Sequence, residues 1–243
     1  MKAIILAAGF GDRLRPLTLH TPKCLAPING KPLLEYWLEN CSRCGINKIL
    51  INTHHLADLV HDYINQNAHL YPKIDIHTVY EKRLLGTAGT VWANQEFVGQ
   101  DNCFIITGDV LSDVNLSYLY DFHLHQKYAL TLGYVIRQNP EDCGVLEIDD
   151  ESRIVRFEEK PEYPFGHKTY SGIQVINGAI FKLLQFNSMQ ESDYLGLDFG
   201  YDVWPKLVGK MSGYHLDCYL EDIGNIETYN QAQSTFPEYY GKN

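Results

Sequence analysis

The sequence predicts an α/β fold, a mixed and mostly parallel sheet flanked by helices, within a single domain of residues 1–243. Apolar runs of strand length recur along the first half of the chain, and segments of helical periodicity separate them. A glycine-rich turn directly follows the first apolar run. Strands that alternate with helices form parallel sheets, because each right-handed crossover lays its helix against one face of the sheet.

The first half of the chain supplies most of the parallel strands. Within residues 32–44, apolar side chains recur at the spacing of one helix face, and Gly45 is a typical C-terminal stop. Predicted strands cover residues 3–8, 48–52, 74–79 and 102–107, and predicted helices cover residues 32–44, 56–67 and 86–95.

The second half continues the domain without a linker. A hairpin turns at residues 149–152, where acidic and small polar residues separate two apolar runs. Predicted strands cover residues 129–135, 144–148, 153–157, 170–176 and 214–218, and predicted helices cover residues 116–126, 201–208 and 225–234.

Composition limits the functions that this chain can have. Its formal net charge is −10, which argues against nucleic acid or an anionic membrane as the main partner. The cysteines are scattered, and the one close pair, Cys41 and Cys44, has no second pair to complete a zinc site. No apolar segment has the length of a membrane span, and no signal region precedes the first strand. We therefore expect a reduced, cytoplasmic protein.

The loop after the first strand has the chemistry of a polyphosphate site. Gly9 and Gly11 allow backbone N–H groups to approach an anion closely, and Arg13, Arg15 and Lys23 add fixed positive charge. Two common phosphate loops are excluded. A dinucleotide fingerprint needs glycine where Leu14 stands, and no Gly-Lys-Ser/Thr closes a Walker A loop.

The order G-x-G-x-R-L-x-P-L-T followed by P-K resembles the signature of the sugar nucleotidyltransferases, also called nucleotide-sugar pyrophosphorylases. The resemblance implies a Rossmann-like, GT-A-like fold with a small acceptor or lid lobe, and we expect no C-terminal β-helix. It implies that residues 1–127 bind mainly the nucleotide and residues 128–243 mainly the sugar phosphate. The implied reaction joins a nucleoside triphosphate to a sugar 1-phosphate and releases pyrophosphate.

The same resemblance assigns phosphate-binding roles. Arg13 would hold the β- and γ-phosphates with its planar fork, and Lys23 would lie against the α-phosphate. Arg15 has the weaker claim, since the family varies more at this position. Further nucleotide-binding positions in these segments are Leu6, Ala8, Gly9, Gly11 and Gly108.

The segment from Glu81 to Thr90 resembles the family's base-binding segment, with Gly86 and Thr87 beside the base. A carboxylate at Glu81 can accept hydrogen bonds from guanine N1–H and the 2-amino group. GTP is therefore favoured, and UTP, dTTP or CTP is the alternative. That Glu81 is only a solvated loop charge also remains open.

Asp109 ends a predicted strand, and Asp222 lies in an Asp-Ile-Gly segment that resembles the family's second metal position. The resemblance makes these two carboxylates the ligands of Mg²⁺, a hard cation that bridges phosphates. Asp113 is an alternative carboxylate.

The segment Phe157-Glu158-Glu159-Lys160-Pro161 resembles the family's sugar-phosphate segment. Lys160 would neutralise the sugar 1-phosphate, Glu159 would accept hydrogen bonds from sugar hydroxyls, and the sugar would pack against Gly144. Gly172 lies where relatives have Asn-x-Gly, but this chain has Tyr170-Ser171-Gly172. The segment from Glu81 to Gly89 resembles that of many mannose- and heptose-1-phosphate guanylyltransferases, so a mannose- or heptose-type 1-phosphate is favoured. A glucose- or amino-sugar-type 1-phosphate is the alternative.

Two functions of other classes compete. One is a catalytically silent protein that senses nucleotide sugars, although every chemical position keeps a competent residue. The other is a dinucleotide-dependent oxidoreductase, which the missing third glycine disfavours. Oligomeric state is open, and a homo-oligomer is compatible with the sequence.

Overall fold

The computed structural model describes residues 1–184 and 195–236. The chain divides into two compact units that alternate along the sequence. The first unit contains Met1–Leu84, Ile106–Leu116 and the segment that begins at Cys218, and the second contains Leu85–Ile105 and Ser117–Asp217. The bounds of these two units follow from contacts within the chain. The predicted division at residue 127 is a different one, because it concerns which substrate each half binds, and it stays a prediction.

The central sheet is mixed, and helices accompany it along the chain. In chain order the strands are β1 (Lys2–Leu6), β2 (Pro27–Ile28), β3 (Lys31–Pro32), β4 (Lys48–Thr53), β5 (Asp75–Tyr80), β6 (Asn102–Thr107), β7 (Val110–Ser112), β8 (Leu130–Ile136), β9 (Gly144–Ile148), β10 (Ile154–Glu159), β11 (Lys168–Asn177), β12 (Ser212–His215) and β13 (Leu220–Asp222). The α-helices are α1 (Leu33–Arg43), α2 (Ala57–Asn67), α3 (Thr87–Ala93), α4 (Gln95–Val98), α5 (Leu116–Leu124), α6 (Ile180–Leu183), α7 (Trp204–Leu207) and α8 (Ile226–Thr235).

The first unit is built on parallel strands. β1 pairs with β4 and β4 pairs with β5, all parallel, and the end of β6 lies beside β1. Ile4, Ile5, Ile49 and Ile51 are fully buried in these strands, as β-branched residues of a sheet with two covered faces are expected to be.

One apolar cluster of the first unit contains residues adjacent in sequence to Arg13 and Asp222. It joins Leu14 from the glycine-rich loop, Leu111 from β7 and Ile223, which follows β13, to side chains from α1 and α8. Because these anchors are adjacent in sequence to Arg13 and Asp222, burial of the apolar residues fixes where the charged ones emerge.

The second unit is mostly antiparallel. β11 pairs antiparallel with β8 and β9, and β9 pairs antiparallel with β10, while β12 runs parallel to β8. A buried polar chain crosses it: His123 Nδ1 lies 2.8 Å from Thr131 Oγ1, which lies 2.8 Å from Ser212 Oγ. Burial lowers the pKa of His123 to about 4, so this imidazole is neutral at ordinary pH.

The predicted elements are found, and two of those in the second half differ in extent or type. The strand predicted at residues 214–218 is β12, which begins earlier at Ser212, and the helix predicted at 201–208 is a π-helical turn, Phe199–Val203, that continues into α7. Four short strands, β2, β3, β7 and β13, were not predicted. Runs of two or three residues carry too little periodicity to be recognised from sequence.

Candidate active site

The glycine-rich loop of the first unit holds its shape through Gly11. This residue has a φ of +69°, and its carbonyl accepts a 2.8 Å hydrogen bond from the Thr18 hydroxyl. A Cβ at Gly11 would lie 2.8 Å from Thr18 Cγ2, whereas a Cβ at Gly9 would meet no atom within 4 Å. Gly11 is thus required by the loop itself, and Gly9 is not.

The two arginines of the loop have different surroundings. Arg15 forms a 2.6 Å ion pair with Asp12, and both side chains are more than half exposed. Arg13 Nη2 lies 3.0 Å from the position of a Cβ on Gly224, and Asp222 Oδ1 lies 2.9 Å from that position. Arg13 therefore lies beside the Asp-Ile-Gly segment, while Arg15 is engaged at the surface.

Lys23 brings the two predicted metal-binding carboxylates together in the first unit. Its ammonium nitrogen lies 2.7 Å from Asp109 Oδ2 and 3.7 Å from Asp222 Oδ1, and its side chain is 12% exposed. The two carboxylates stabilise this largely buried cation, because burying an unpaired charge would cost folding free energy.

A strand pair that the sequence did not predict explains how the two carboxylates meet. β7 and β13 pair antiparallel, with Asp222 opposite Val110, and Ile223 N donates a 3.0 Å hydrogen bond to the carbonyl of Asp109. Trp37 Nε1 on α1 donates to the carbonyl of Val110 at 2.7 Å. The backbone on both sides of the carboxylate pair is therefore tied down.

The carboxylate pair suits a divalent cation. Burial raises the pKa of Asp109, but the charge and hydrogen bond of Lys23 and the charge of Arg13 more than offset this and hold that pKa below its usual range. Two carboxylates that lie this close together offer the oxygen ligands that a hard metal ion prefers. Among residues 1–184 and 195–236, no third His, Cys, Asp or Glu completes a cage. Phosphate oxygens and water would have to complete the coordination.

The alternative carboxylate, Asp113, has a structural partner. Its Oδ1 accepts a 2.8 Å hydrogen bond from Tyr219 N. Burial raises the pKa of Asp113 despite this bond. Asp109 and Asp222, not Asp113, are the carboxylates that meet at Lys23.

Glu81 is buried, with an exposed fraction of 4%, which excludes the interpretation as a solvated loop charge. Its Oε1 accepts a 2.8 Å hydrogen bond from Asn52 Nδ2. Its backbone N–H donates to Thr53 O at 2.8 Å, and its carbonyl accepts from His54 Nδ1 at 2.7 Å. The residues at the end of β4 therefore hold this side chain and its backbone.

Gly86 and Thr87, in the second unit, contact a loop that the sequence analysis did not consider. A Cβ at Gly86 would lie 2.4 Å from Leu197 O, a carbonyl that also accepts hydrogen bonds from Ala88 N and Gly89 N. The Thr87 hydroxyl donates to Asp198 Oδ2 at 2.8 Å and accepts from Phe199 N at 2.9 Å. Gly86 thus has a packing role in addition to its predicted place beside the base.

Glu159, also in the second unit, lies between two glycines. A Cβ on Gly144 would be 2.6 Å from its Oε2, and a Cβ on Gly200 would be 2.4 Å from the same atom. Burial and the nearby charge of Asp198 raise the pKa of Glu159 to about 7, against the opposing effect of Lys160. A carboxyl group with a pKa near neutrality that packs against two glycines is a candidate binding residue.

Two further predicted sugar-site residues have unusual backbone conformations. Lys160 follows β10 with a φ of +47°, which a side chain with Cβ seldom adopts, and its N–H donates to Cys143 O at 3.1 Å. Gly172 has a φ of +79° within β11, where the register with β8 shifts between Tyr170 and Gln174. Gly172 therefore lies within the irregular part of β11, where its positive φ is easily adopted by a glycine.

The remaining nucleotide positions line the ends of strands in the first unit. Gly108 N donates to Leu6 O at 2.8 Å, and a Cβ at Gly108 would lie 2.7 Å from that oxygen. Ala8 is buried. Of the close cysteine pair, Cys41 lies within α1 and Cys44 just after it, and both are buried thiols.

Asn52, Asp198 and Gly224 were not among the site residues predicted from the sequence. A polar residue at the end of an otherwise apolar strand would have indicated Asn52. Asp198 precedes Phe199 and Gly200 without any helical or strand pattern, so the sequence held no signal for it. Gly224 was seen only as part of a motif, and the contact that requires it became visible in three dimensions.

Comparison with known proteins agrees with this geometry. The family model described as nucleotidyl transferase matches residues 2–238. The chain is 31% identical over 241 residues to the D-glycero-alpha-D-manno-heptose 1-phosphate guanylyltransferase of Aneurinibacillus thermoaerophilus, covering 98% of this chain and 100% of that relative. The chain belongs to the nucleotidyl transferase family.

Members of this family differ in the nucleotide that their names specify. The bifunctional protein GlmU of Methanocaldococcus jannaschii is 33% identical over 226 residues, which cover 92% of this chain and 51% of GlmU, about half its length. A glucose-1-phosphate adenylyltransferase of Clostridium novyi and a UTP--glucose-1-phosphate uridylyltransferase of Synechocystis are 29% and 30% identical. The family is that of sugar-1-phosphate nucleotidyltransferases, and membership leaves the base open.

A solved structure shows the same fold. HddC from Yersinia pseudotuberculosis superimposes with a TM-score of 0.78 at 24% identity, over 97% of this chain and 99% of that one. The predicted Rossmann-like α/β fold with a mixed, mostly parallel sheet is confirmed. In the described parts of the chain, no helix is long and apolar enough to cross a membrane.

Proposed function

We propose that this protein joins GTP to a mannose- or heptose-type sugar 1-phosphate, giving a GDP-sugar and pyrophosphate. An oxygen of the sugar phosphate attacks the α-phosphorus in line. The bond from that phosphorus to the oxygen bridging to the β-phosphorus breaks, and pyrophosphate leaves with the electron pair. The observation that carries the proposal is the meeting of Lys23, Asp109 and Asp222 in one unit, next to the glycine-rich loop that bears Arg13.

Phosphoryl chemistry of this kind requires positioning and charge neutralisation more than covalent help. Arg13 would grip the β- and γ-phosphates with its fork, and Lys23 would neutralise charge at the α-phosphate. Asp109 and Asp222 would hold Mg²⁺, which when bound neutralises charge that develops on the phosphate oxygens. The pairing of β7 with β13, which holds the backbone at both carboxylates, supports this assignment.

Glu81 would select guanine through its carboxylate. Uracil and thymine each offer one N–H between two carbonyl acceptors, so a buried carboxylate satisfies them less well than it satisfies guanine. The name of the heptose 1-phosphate guanylyltransferase that matches the whole chain supports the same base. The second candidate uses UTP, dTTP or CTP with a glucose- or amino-sugar-type 1-phosphate, and the uridylyltransferase among the relatives favours it.

The second unit would bind the acceptor. Lys160 would neutralise the sugar 1-phosphate, and Glu159 would bind sugar hydroxyls, with Gly144 and Gly172 beside the ring. A Glu159 carboxyl that titrates near pH 7 can accept a hydrogen bond when ionised and donate one when protonated, so sugar affinity would depend on pH near neutrality.

Pyrophosphate release from GTP with mannose- and heptose-type 1-phosphates, in the presence and absence of Mg²⁺, tests the reaction. We expect Asp109→Asn and Asp222→Asn each to lower Mg²⁺-dependent turnover by about 100-fold or more. The fold should persist, because an asparagine oxygen at position 109 can still accept a hydrogen bond from Lys23, and the Asp222 side chain is about half exposed and lies 3.7 Å from the Lys23 nitrogen.

The matched control for these variants is Asp12→Asn. Asp12 is an acidic residue of the same unit, with an exposed side chain paired to Arg15. Turnover retained in a variant of Asp109 or Asp222 would remove that residue from the metal site. Turnover lost equally in the Asp12 variant would mean that the assay reports general damage.

A further inference from the structure

Three consecutive residues, the last two of β4 and the one that follows it, form hydrogen bonds with Glu81, and all belong to the first unit. Asn52 Nδ2 donates to the Glu81 carboxylate at 2.8 Å, Thr53 O accepts from the Glu81 N–H at 2.8 Å, and His54 Nδ1 donates to the Glu81 carbonyl at 2.7 Å. The side chain, the amide and the carbonyl of one residue are thus each held from the neighbouring strand.

Asn52 has a second partner in the glycine-rich loop. Its Oδ1 accepts a 2.7 Å hydrogen bond from Ala7 N, two residues before Gly9. Asn52 is 3% exposed, so both ends of its amide work in a region from which water is excluded. Rotating the amide by half a turn would set donor against donor and acceptor against acceptor, so the two partners fix its orientation.

These two hydrogen bonds connect segments that the proposed function treats separately. Ala7 leads into the loop that would bind the triphosphate, and Glu81 would bind the base. The Asn52 amide, bonded to both, holds Glu81 at a fixed distance from Ala7. The bond to Glu81 is the stronger restraint, because a buried hydrogen bond to a carboxylate is stronger than one between neutral groups. Without this amide, the Glu81 side chain could move, and its carboxylate would no longer lie at the right distance from the bound phosphates to contact the base.

We propose that Asn52 is a positioning residue that sets nucleotide selectivity by fixing the Glu81 carboxylate relative to the phosphate-binding loop. This inference rests on the proposed function, in which Glu81 reads the base. It predicts that loss of the Asn52 amide changes the choice among nucleotides, whereas a purely structural role would lower stability and slow turnover with every nucleotide alike.

A double-mutant cycle with Asn52→Ser and Glu81→Gln tests the proposal. The measured quantity is the ratio of kcat/KM for GTP to that for UTP, with one sugar 1-phosphate held constant. Asn52→Ser removes the donor to Glu81, and we expect the ratio to fall about tenfold, mainly through the KM for GTP. Glu81→Gln keeps an oxygen that can accept from Asn52 but removes the charge, and the ratio should fall at least as much. In the double variant the ratio should equal that of Glu81→Gln alone, because Asn52 acts through Glu81.

The matched control is Thr53→Val. Thr53 is the next residue of β4, is 4% exposed, and its hydroxyl donates to Val79 O at 3.3 Å. This variant loses a buried side-chain hydrogen bond but leaves the contacts of the Glu81 carboxylate in place. Its unfolding free energy should fall while the nucleotide ratio stays at the wild-type value.

The possible results distinguish a failure of the role given to Asn52 from a failure of the proposed function. An unchanged ratio in Glu81→Gln contradicts the proposed reading of the base and overturns the inference with it. A changed ratio in Glu81→Gln with an unchanged ratio in Asn52→Ser contradicts the inference alone. The inference is also overturned if Asn52→Ser and Thr53→Val shift the ratio alike, or if the two effects of the cycle simply add.

Discussion

Charged side chains inside this molecule are held by partners that the fold brings to them. Lys23 lies between Asp109 and Asp222, and Glu81 accepts a hydrogen bond from Asn52. Removing water from a charge costs free energy, which these contacts offset, and the same contacts orient the charged group. Glu159 differs, because the net effect of its surroundings raises its pKa to about 7 and so disfavours its charged form.

The raised pKa of Glu159 predicts how the free energy of unfolding depends on pH. Burial and Asp198 raise its pKa to about 7, above the ordinary value of 4.5, so the folded protein binds a proton more tightly than the unfolded chain does. The stability that this proton binding contributes is fully present below about pH 4.5 and is lost as pH rises through 7. Relative to Glu159→Gln, the wild-type protein should lose about 3 kcal/mol of unfolding free energy between these pH values.

Denaturant unfolding at several pH values measures this difference. His123 acts in the same range with the opposite sign, since its lowered pKa of about 4 reduces stability as pH falls. It is present in both proteins, so the comparison with Glu159→Gln cancels it. Glu158→Gln, on the same strand and about half exposed, is the control. Parallel pH curves for wild type and Glu159→Gln would contradict the account.

At this scale the sequence predicted which residues matter better than what they touch. The pairing of Asp109 with Asp222 was predicted from the resemblance, but the contact of Lys23 with both carboxylates was not, because it joins parts of the chain that are far apart in sequence. Asn52 went unnoticed, since a single asparagine after an apolar run has many uses. A side chain's type limits its chemistry, while its partners come from the tertiary fold.

Among elements, the glycine-rich loop and the β7–β13 pair determine the site of the first unit. The loop is fixed by Gly11 and by burial of Leu14, and the strand pair sets Asp222 opposite Val110. The long elements of both units were predictable from apolar periodicity. The strand pair was not, because its strands are three residues long and their stability comes from the cluster beneath them and from Trp37.

Two glycines of one loop should respond differently to alanine. Gly11→Ala places a Cβ 2.8 Å from Thr18 Cγ2 on a residue with a φ of +69°, so we expect a loss of about 2 kcal/mol of unfolding free energy. Gly9→Ala meets nothing within 4 Å and should leave stability nearly unchanged, while turnover falls because the Cβ obstructs the phosphates. Equal destabilisation in both variants, measured by denaturant unfolding, would refute this explanation of the loop.

Gly224→Ala should separate activity from stability. The new Cβ would lie 2.9 Å from Asp222 Oδ1 and 3.0 Å from Arg13 Nη2, both at the ends of flexible side chains that can move aside. We expect the unfolding free energy to change by less than about 1 kcal/mol and turnover to drop at least tenfold. Gly166→Ala, where a Cβ meets nothing within 4 Å, is the control. Normal turnover in Gly224→Ala would show that the positions of Arg13 and Asp222 are not critical.

For the whole molecule, fold and family were predictable because four ordered motifs lie on a regular α/β frame. The net charge of −10 is compatible with the proposed anion site, because its cations, Arg13 and Lys23, lie in one part of the chain, the first unit. The base and the sugar were less predictable, since in the proposed function they depend on a few side chains such as Glu81 and on the departure at Tyr170-Ser171-Gly172. Family members that share the frame carry names with different nucleotides.

The most direct test of the account is the nucleotide preference of the purified protein. Pyrophosphate release would be measured with GTP, UTP, dTTP, CTP and ATP, each paired with mannose-, heptose- and glucose-type 1-phosphates in the presence of Mg²⁺. We predict a kcat/KM for GTP at least tenfold above that for any other triphosphate, with a mannose- or heptose-type acceptor. A preference for a pyrimidine triphosphate or ATP would contradict the role given to Glu81, and no release with any pair would contradict the proposed reaction.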